Sequence, residues 1–263
     1  MLPDSFYTPS GDGFVATPLT RGPWDDRFQH GGPPCALLAG ALERAGDAAG
    51  FAVSRLTFEL LRPIPIGPVA VEVHPERTGR QVERWHGVLR VGGEEVVRAT
   101  ALRIRRLHVS TPPPPADEVW PAPETLAPFT FPFFRSEVGY HRGVELGLAW
   151  GTWGTTPVAF WARPRVPLVA GRATTPLEAL VTVADAQSGM GPPVHPDHFT
   201  YPNPDLALWL ERAPSAHPHD WFGLEIRAVA GPEGYGVAQS ALRDADGTFG
   251  RAVQSLVVTP RPA

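Results

Sequence analysis

The chain repeats itself at an offset of about 150 residues, and that duplication limits its fold more than any other feature. RLTFELLRPIP (Arg55 to Pro65) is matched by DLALWLERAPS (Asp205 to Ser215); both alternate like strands, and both end on Arg closely followed by Pro. QVERWHGVLRVGGEEVVRATALRIRR (Gln81 to Arg106) is matched in turn by YGVAQSALRDADGTFGRAVQSLVVTPR (Tyr235 to Arg261). Each of these is a strand, a turn at Gly92-Gly93 or Asp246-Gly247, and a second long strand, which is the pattern of a hairpin. Within the last strands Arg98-Ala99 corresponds to Arg251-Ala252. Two copies of one unit account for all of this.

The stretch between the copies, HVSTPPPPADEVWPAPETLAP (His108 to Pro128), is too rich in proline for helix or central strand and reads as an extended connector. The expected organisation is a first unit over residues 1–107, a proline-rich linker over 108–132 and a second unit over 133–263. The first unit should run helix (about 33–46) and then strands at 54–62, 68–76, 81–91 and 94–106. In the second, GVELGLAW and PVAFWARPR read as strands, a helix follows from about Thr175 to Gly189, and the three repeat-matched strands complete it. One helix per unit among antiparallel hairpins makes the fold class α+β. The first helix is preceded by FQHGGPPCALL, where His30-Gly31-Gly32 leads into two prolines suited to a first helical turn. Such a tip, bare of side chains, offers N–H groups and a positive dipole end to an anion or a developing oxyanion. The competing reading is a glycine loop needed only for tight packing.

Composition narrows the function. A formal net charge of −4 with a pI of about 6.1 leaves no basic face for nucleic acid or an anionic membrane. MLPDSFYTPSGDG lacks the charged and apolar regions of a secretory signal, and no apolar run is long enough to span a bilayer. The expected location is therefore the cytoplasm. The single Cys35 excludes an intramolecular disulfide and a cysteine zinc cage, and its place among apolar residues reads as a small buried hydrophobe. No lysine is present, which excludes a Schiff-base lysine and a Walker A loop. His195 and His198 in HPDHF lie between prolines without helical spacing, so no metal is expected, and no other cofactor. Ser188 lacks the preceding glycine of a nucleophile elbow. Trp153, Trp161, Trp209 and Trp221 fall on strands or their flanks and read as core or tunnel wall.

A Gly-Gly step into a helix, a strand ending in Leu-Arg-Pro and a long hairpin, repeated in tandem, resemble the double hot-dog acyl-CoA thioesterases of the acyl-CoA thioesterase II group. The resemblance runs from about Phe14 to Arg261. It implies two units, each an antiparallel sheet wrapped around one helix, and hydrolysis of an acyl-CoA thioester by water. In that family the water is oriented by an Asp, a Thr or Ser, and a Gln. These positions fall on Asp185 in LVTVADAQSG, Asn203 in YPNPDLALW and Gln254 in GRAVQSLVV. Asn203 is a departure, because it hydrogen-bonds but has no hydroxyl.

The repeat offers an independent check, since structural residues should recur in both copies and catalytic ones need not. Gln254 corresponds to Ala101 and Asn203 to Val53, so polar groups stand in the second copy where the first is apolar. Asp185 sits among Leu180, Val181, Val183 and Ala184 on the predicted helix, an expensive place for a carboxylate unless it is hydrogen-bonded or working. The alternative is that these groups satisfy buried backbone or lie on a solvated edge. On the resemblance, Asp185 activates water held by Gln254 and Asn203; the bare helix tip adds Gly31 and Gly32 amides to receive the oxyanion, with His30 shaping the loop or supporting the oxygen. Two other functions stay open: a hot-dog enoyl-CoA hydratase or dehydratase, which favours a paired Asp and His, and a non-catalytic acyl-thioester binding protein. No His lies at helical spacing from Asp185, which argues against the hydratase. Acyl-CoA is the expected partner, and open sheet edges suggest a homo-oligomer.

Overall fold

A computed structural model describes residues 2–112, 117–215 and 220–261. The chain opens with a short hairpin, β1 (Tyr7–Ser10) and β2 (Gly13–Ala16), and then forms helix α1 (Gly32–Arg44). Four strands follow: β3 (Phe51–Leu60), β4 (Pro68–Arg77), β5 (Val82–Val91) and β6 (Glu94–Arg105). The second half begins with β7 (Pro128–Phe129), the short helix α2 (Tyr140–Gly143), β8 (Val144–Trp150) and β9 (Val158–Pro164). Helix α3 (Pro176–Ala184) and a single turn α4 (Gln187–Met190) come next, then β10 (Phe199–Thr200). The last strands are β11 (Asp205–Leu210), β12 (Phe222–Ala230), β13 (Tyr235–Asp244), β14 (Gly247–Val257) and β15 (Thr259–Pro260).

Among the described residues 13 strands form one sheet in the order β1-β2-β4-β5-β6-β3-β11-β14-β13-β12-β9-β8-β7, while β10 and β15 pair separately. Read outward from its centre, the first six strands correspond in both directions, and β7 is added at one end. β3 meets β11 antiparallel, with Leu56 opposite Leu208, and each half then continues through its long hairpin to a flanking strand pair. The repeat unit is thus a hairpin, a helix and four strands. The sequence reading has only three strands after the second helix; the fourth, β12, is the counterpart of β4. Its Phe222, Leu224, Ile226 and Ala228 are buried at every second position, the signature of a half-buried strand.

The two helices pack against each other and against strands of the sheet. On α1 every residue from Gly32 to Gly40 is buried, as is Leu177 to Ala184 on α3. Glycine permits the contact: a methyl on Gly32 would strike the Thr182 carbonyl oxygen, and one on Gly40 would strike the Glu178 carboxylate. As α1 advances from residue 32 to 40, its partner on α3 recedes from 182 to 178, so the helices run antiparallel. The N-terminus of α1 therefore meets the C-terminus of α3.

Three details differ from expectation. The helix anticipated over 175–189 ends at Ala184, with Asp185 as its C-cap residue, and resumes as α4 after Ala186. The sheet-edge argument for a homo-oligomer also loses an edge, because β1 is already paired with the second half: Tyr7 N–H donates to Leu168 O at 2.9 Å, and Ala170 N–H to Tyr7 O at 2.9 Å. Trp209 is 47% exposed on β11 and walls no tunnel, whereas Trp161 is buried. Among the described residues no helix is long and apolar enough to cross a membrane.

Candidate active site

The loop ahead of α1 is fixed from three sides. Gln29 N–H donates to Ile64 O at 2.8 Å, and its side-chain Nε2 donates to Pro65 O at 2.8 Å. Tyr7 O–H donates to Gln29 Oε1 at 2.7 Å, and His30 N–H donates to Thr20 O at 2.7 Å. The His30 ring lies flat on Tyr140, with centroids 3.8 Å apart and planes 5° from parallel. Tyr140 is itself locked by its O–H donating to Thr182 O at 2.8 Å. These contacts aim the His30-Gly31 corner at the end of α3.

Asp185 occupies that end. Its carboxylate oxygens stand 2.8 and 3.0 Å from where a Cβ on Gly31 would be. Gly31 has φ −63° and ψ −27°, ordinary helical backbone, so glycine is needed here for space and not for its dihedral freedom. Asn203 Nδ2 donates to Asp185 Oδ1 at 2.8 Å, and His30 Nδ1 lies 3.0 Å from Oδ2. The Asp185 side chain is only 2% exposed, yet both its oxygens have polar neighbours. Its negative charge reaches further. The Cys35 thiol and the Tyr140 phenol are both pushed well up, chiefly by burial and then by the Asp185 carboxylate, so neither supplies an anion near neutral pH.

The bare tip has fewer donors than its sequence suggests. Gly32 N–H donates to His30 Nδ1 at 3.1 Å, Pro33 and Pro34 have no N–H, and Cys35 N–H is paired with Gly31 O at 3.1 Å. Gly31 N–H has no hydrogen-bond partner among the described residues. His30 Nδ1 is contested, because one ring nitrogen is a donor or an acceptor and not both. Bare, it accepts from Gly32; protonated, it donates to Asp185 and releases the Gly32 amide.

A cavity of about 460 Å³ opens over this corner. Its polar wall includes His30, Gly31, Asp185, Ser188 and Asn203, and Trp24, Phe28, Phe131, Phe133 and Tyr201 contribute an aromatic wall. Gln254 does not reach the cavity wall. It is fully buried on β14, and its Nε2 donates to Ser188 Oγ at 3.4 Å while Oε1 has no partner. Asp185, Asn203, His30 and Gly31 thus come together, and Gln254 stands one residue behind them. The sequence reading missed two features. Ser188 was judged only as a nucleophile, although its place three residues after Asp185 was a signal. The contact between His30 and Asp185 crosses from one unit to the other, and no local spacing could reveal it.

Residues 20–104 match the family model described as the acyl-CoA thioesterase N-terminal domain, and residues 109–258 match the model of the C-terminal domain. The chain belongs to this acyl-CoA thioesterase family. It is a thioester hydrolase by that membership, with two thioesterase domains in tandem. A search of curated proteins finds no match. Solved structures share the fold. A conserved hot-dog protein of unknown function from Alicyclobacillus acidocaldarius is 18% identical, with TM-score 0.73, covering 99% of this chain and 98% of that one. The acyl-CoA thioesterase II from Mycobacterium marinum is 14% identical, with TM-score 0.65, covering 97% and 94%. A tesB protein from Mycobacterium avium subsp. paratuberculosis is 17% identical, with TM-score 0.67, covering 95% and 94%. The fold is therefore the hot-dog fold, doubled.

Proposed function

We infer that the substrate is an acyl-CoA and that Asp185 drives its hydrolysis by activating water. The acyl group would occupy the aromatic cavity, with the thioester oxygen at the free Gly31 N–H, where the positive end of α1 favours a developing oxyanion. Asp185 takes a proton from water as the water oxygen bonds to the carbonyl carbon, and the carbonyl electron pair moves onto oxygen. Collapse of this intermediate breaks the C–S bond, and the CoA thiolate leaves and recovers the proton. Asn203 Nδ2 holds one carboxylate oxygen, and His30 Nδ1, in the form that carries a hydrogen there, holds the other, which gives the base one orientation. Thiolate is a good leaving group, so this route needs no covalent enzyme intermediate.

The observation that carries the reading is the Asp185 carboxylate, from the second unit, lying against Gly31, from the first. The contact between Asp185 and His30 favours a second reading, an enoyl-CoA hydratase, because it supplies the acid–imidazole pair that the helix spacing lacks. One assay separates them: purified protein with a panel of acyl-CoAs and a thiol reagent, beside an enoyl-CoA monitored for loss of its double bond. Thiol release that falls about 100- to 10,000-fold in Asp185→Asn is the expected result. Hydration without thiol release would replace hydrolysis with the second reading, and tight binding without turnover would leave a binding protein.

A further inference from the structure

We propose that Ser188 supplies the hydroxyl that holds the attacking water, with Gln254 acting through it as a positioning residue. The inference rests on the reading that Asp185 activates water, and it follows from where the remaining donors point. Asn203 spends both amide hydrogens within the protein, one on Asp185 Oδ1 at 2.8 Å and one on Asp205 O at 3.0 Å. Only its oxygen remains, so it cannot both fix Asp185 and donate to a water. Gln254 is sealed behind the wall, with its Nε2 turned to Ser188 Oγ.

Ser188 differs from both. It lines the same cavity as Asp185, three residues further along, on the turn that begins after α3 ends. Its oxygen accepts from Gln254 at 3.4 Å, and among the described residues nothing accepts the hydrogen of its own hydroxyl. One lone pair is therefore anchored from behind, leaving the hydrogen and a second lone pair for a water in the cavity. The three-residue spacing of Asp185 and Ser188 puts both side chains on one face, and both border the cavity. The hydroxyl that position 203 lacks is thus present at 188.

The test compares kcat and KM for thiol release from an acyl-CoA in wild type, Ser188→Ala, Ser188→Thr, Gln254→Met, the Ser188→Ala/Gln254→Met double variant and Asp185→Asn, with thermal melts of each. The expected result is a kcat lower by roughly 10- to 100-fold in Ser188→Ala, with KM within about threefold of wild type. Ser188→Thr, which restores a hydroxyl, should recover most of the loss. The double variant should be little slower than Ser188→Ala alone, because Gln254 acts through the missing group. Wild-type kcat in a folded Ser188→Ala overturns the proposal, as does a loss that Ser188→Thr leaves unrepaired in a folded protein. Fully multiplicative effects at 188 and 254, or an acyl group found on Ser188 by mass spectrometry, overturn it too. If Asp185→Asn is inactive while Ser188→Ala is not, only this inference fails; if Asp185→Asn is fully active, the reading beneath it fails first.

Discussion

At the scale of single residues, Gly31 and Gly32 look interchangeable in the sequence and have different tasks in the structure. A methyl at Gly31 would lie 2.8 Å from Asp185 Oδ2 and 2.8 Å from Leu60 Cδ2, so the carboxylate would have to move. A methyl at Gly32 would meet the Thr182 backbone oxygen and part the two helices. Gly31→Ala should therefore lower kcat at least about tenfold while costing about 1 kcal/mol of stability or less, since a side chain can yield. Gly32→Ala should cost about 2–3 kcal/mol, because backbone yields less readily. Thiol-release kinetics beside urea denaturation of the two variants checks both figures, and equal loss of activity and stability in both would contradict the division. Close packing thus constrains both glycines, and the oxyanion role remains the proposal made for the Gly31 amide. The duplication singled out Asn203 and Gln254, which stand where the first copy has Val53 and Ala101, whereas Asp185 stood out as a carboxylate among apolar helix neighbours. The partners of those residues were not legible, because His30 and Ser188 acquire their roles only through packing.

At the scale of elements, legibility followed periodicity. Helix α1 and strands β3 to β6 lie within a few residues of their expected spans, since prolines, glycines and alternation mark their ends. The break after Ala184 has no such mark; ADAQ contains neither glycine nor proline, and tertiary contacts decide it. β12 did alternate, and comparison with β4 would have found it. The hairpin of β13 and β14 shows how an element end is held by charge. Arg212 donates to both oxygens of the buried Asp244, at 2.8 and 2.6 Å, and Ser215 N–H and Asp246 N–H add bonds at 2.9 and 3.0 Å. Burial alone would raise the Asp244 pKa; the Arg212 and Ser215 bonds outweigh it, and the net shift is downward. A carboxyl lowered on folding adds stability that is fully present above its unfolded value, about 4, and is lost as pH falls through the lower folded value. Asp244→Asn should therefore cost about 2–3 kcal/mol at pH 7 and progressively less below about pH 4. Urea denaturation of both proteins across that range measures it; a gap that does not change with pH would contradict the assignment.

At the scale of the whole molecule, two antiparallel helices packed on a doubled sheet create two corners where a helix start meets a helix end. One joins Gly31 to Asp185 and opens into the cavity. At the other, α3 begins on a capping box of Thr175 and Glu178, near the end of α1. Glu178 is fully buried there, 2.9 Å from Arg44 Nη1 and 2.7 Å from Arg172 Nη2, while Thr175 O–H donates to Glu43 at 2.6 Å. Burial first, and then the neighbouring Glu178, push the Glu43 carboxyl above its usual range. Ion pairs thus occupy the second corner, while the first borders the cavity, and the proposed site uses the first alone. The account depends on the thioester lying between the Gly31 amide and the Asp185 carboxylate. The most direct measurement is a crystal structure of Asp185→Asn holding an uncleaved acyl-CoA. It should place the thioester oxygen within about 3.2 Å of Gly31 N, with residue 185 facing the carbonyl carbon. A thioester oxygen turned away from Gly31, or a thioester lodged in the separate hollow of about 580 Å³ beside Trp120, Trp161 and Arg243, would contradict it.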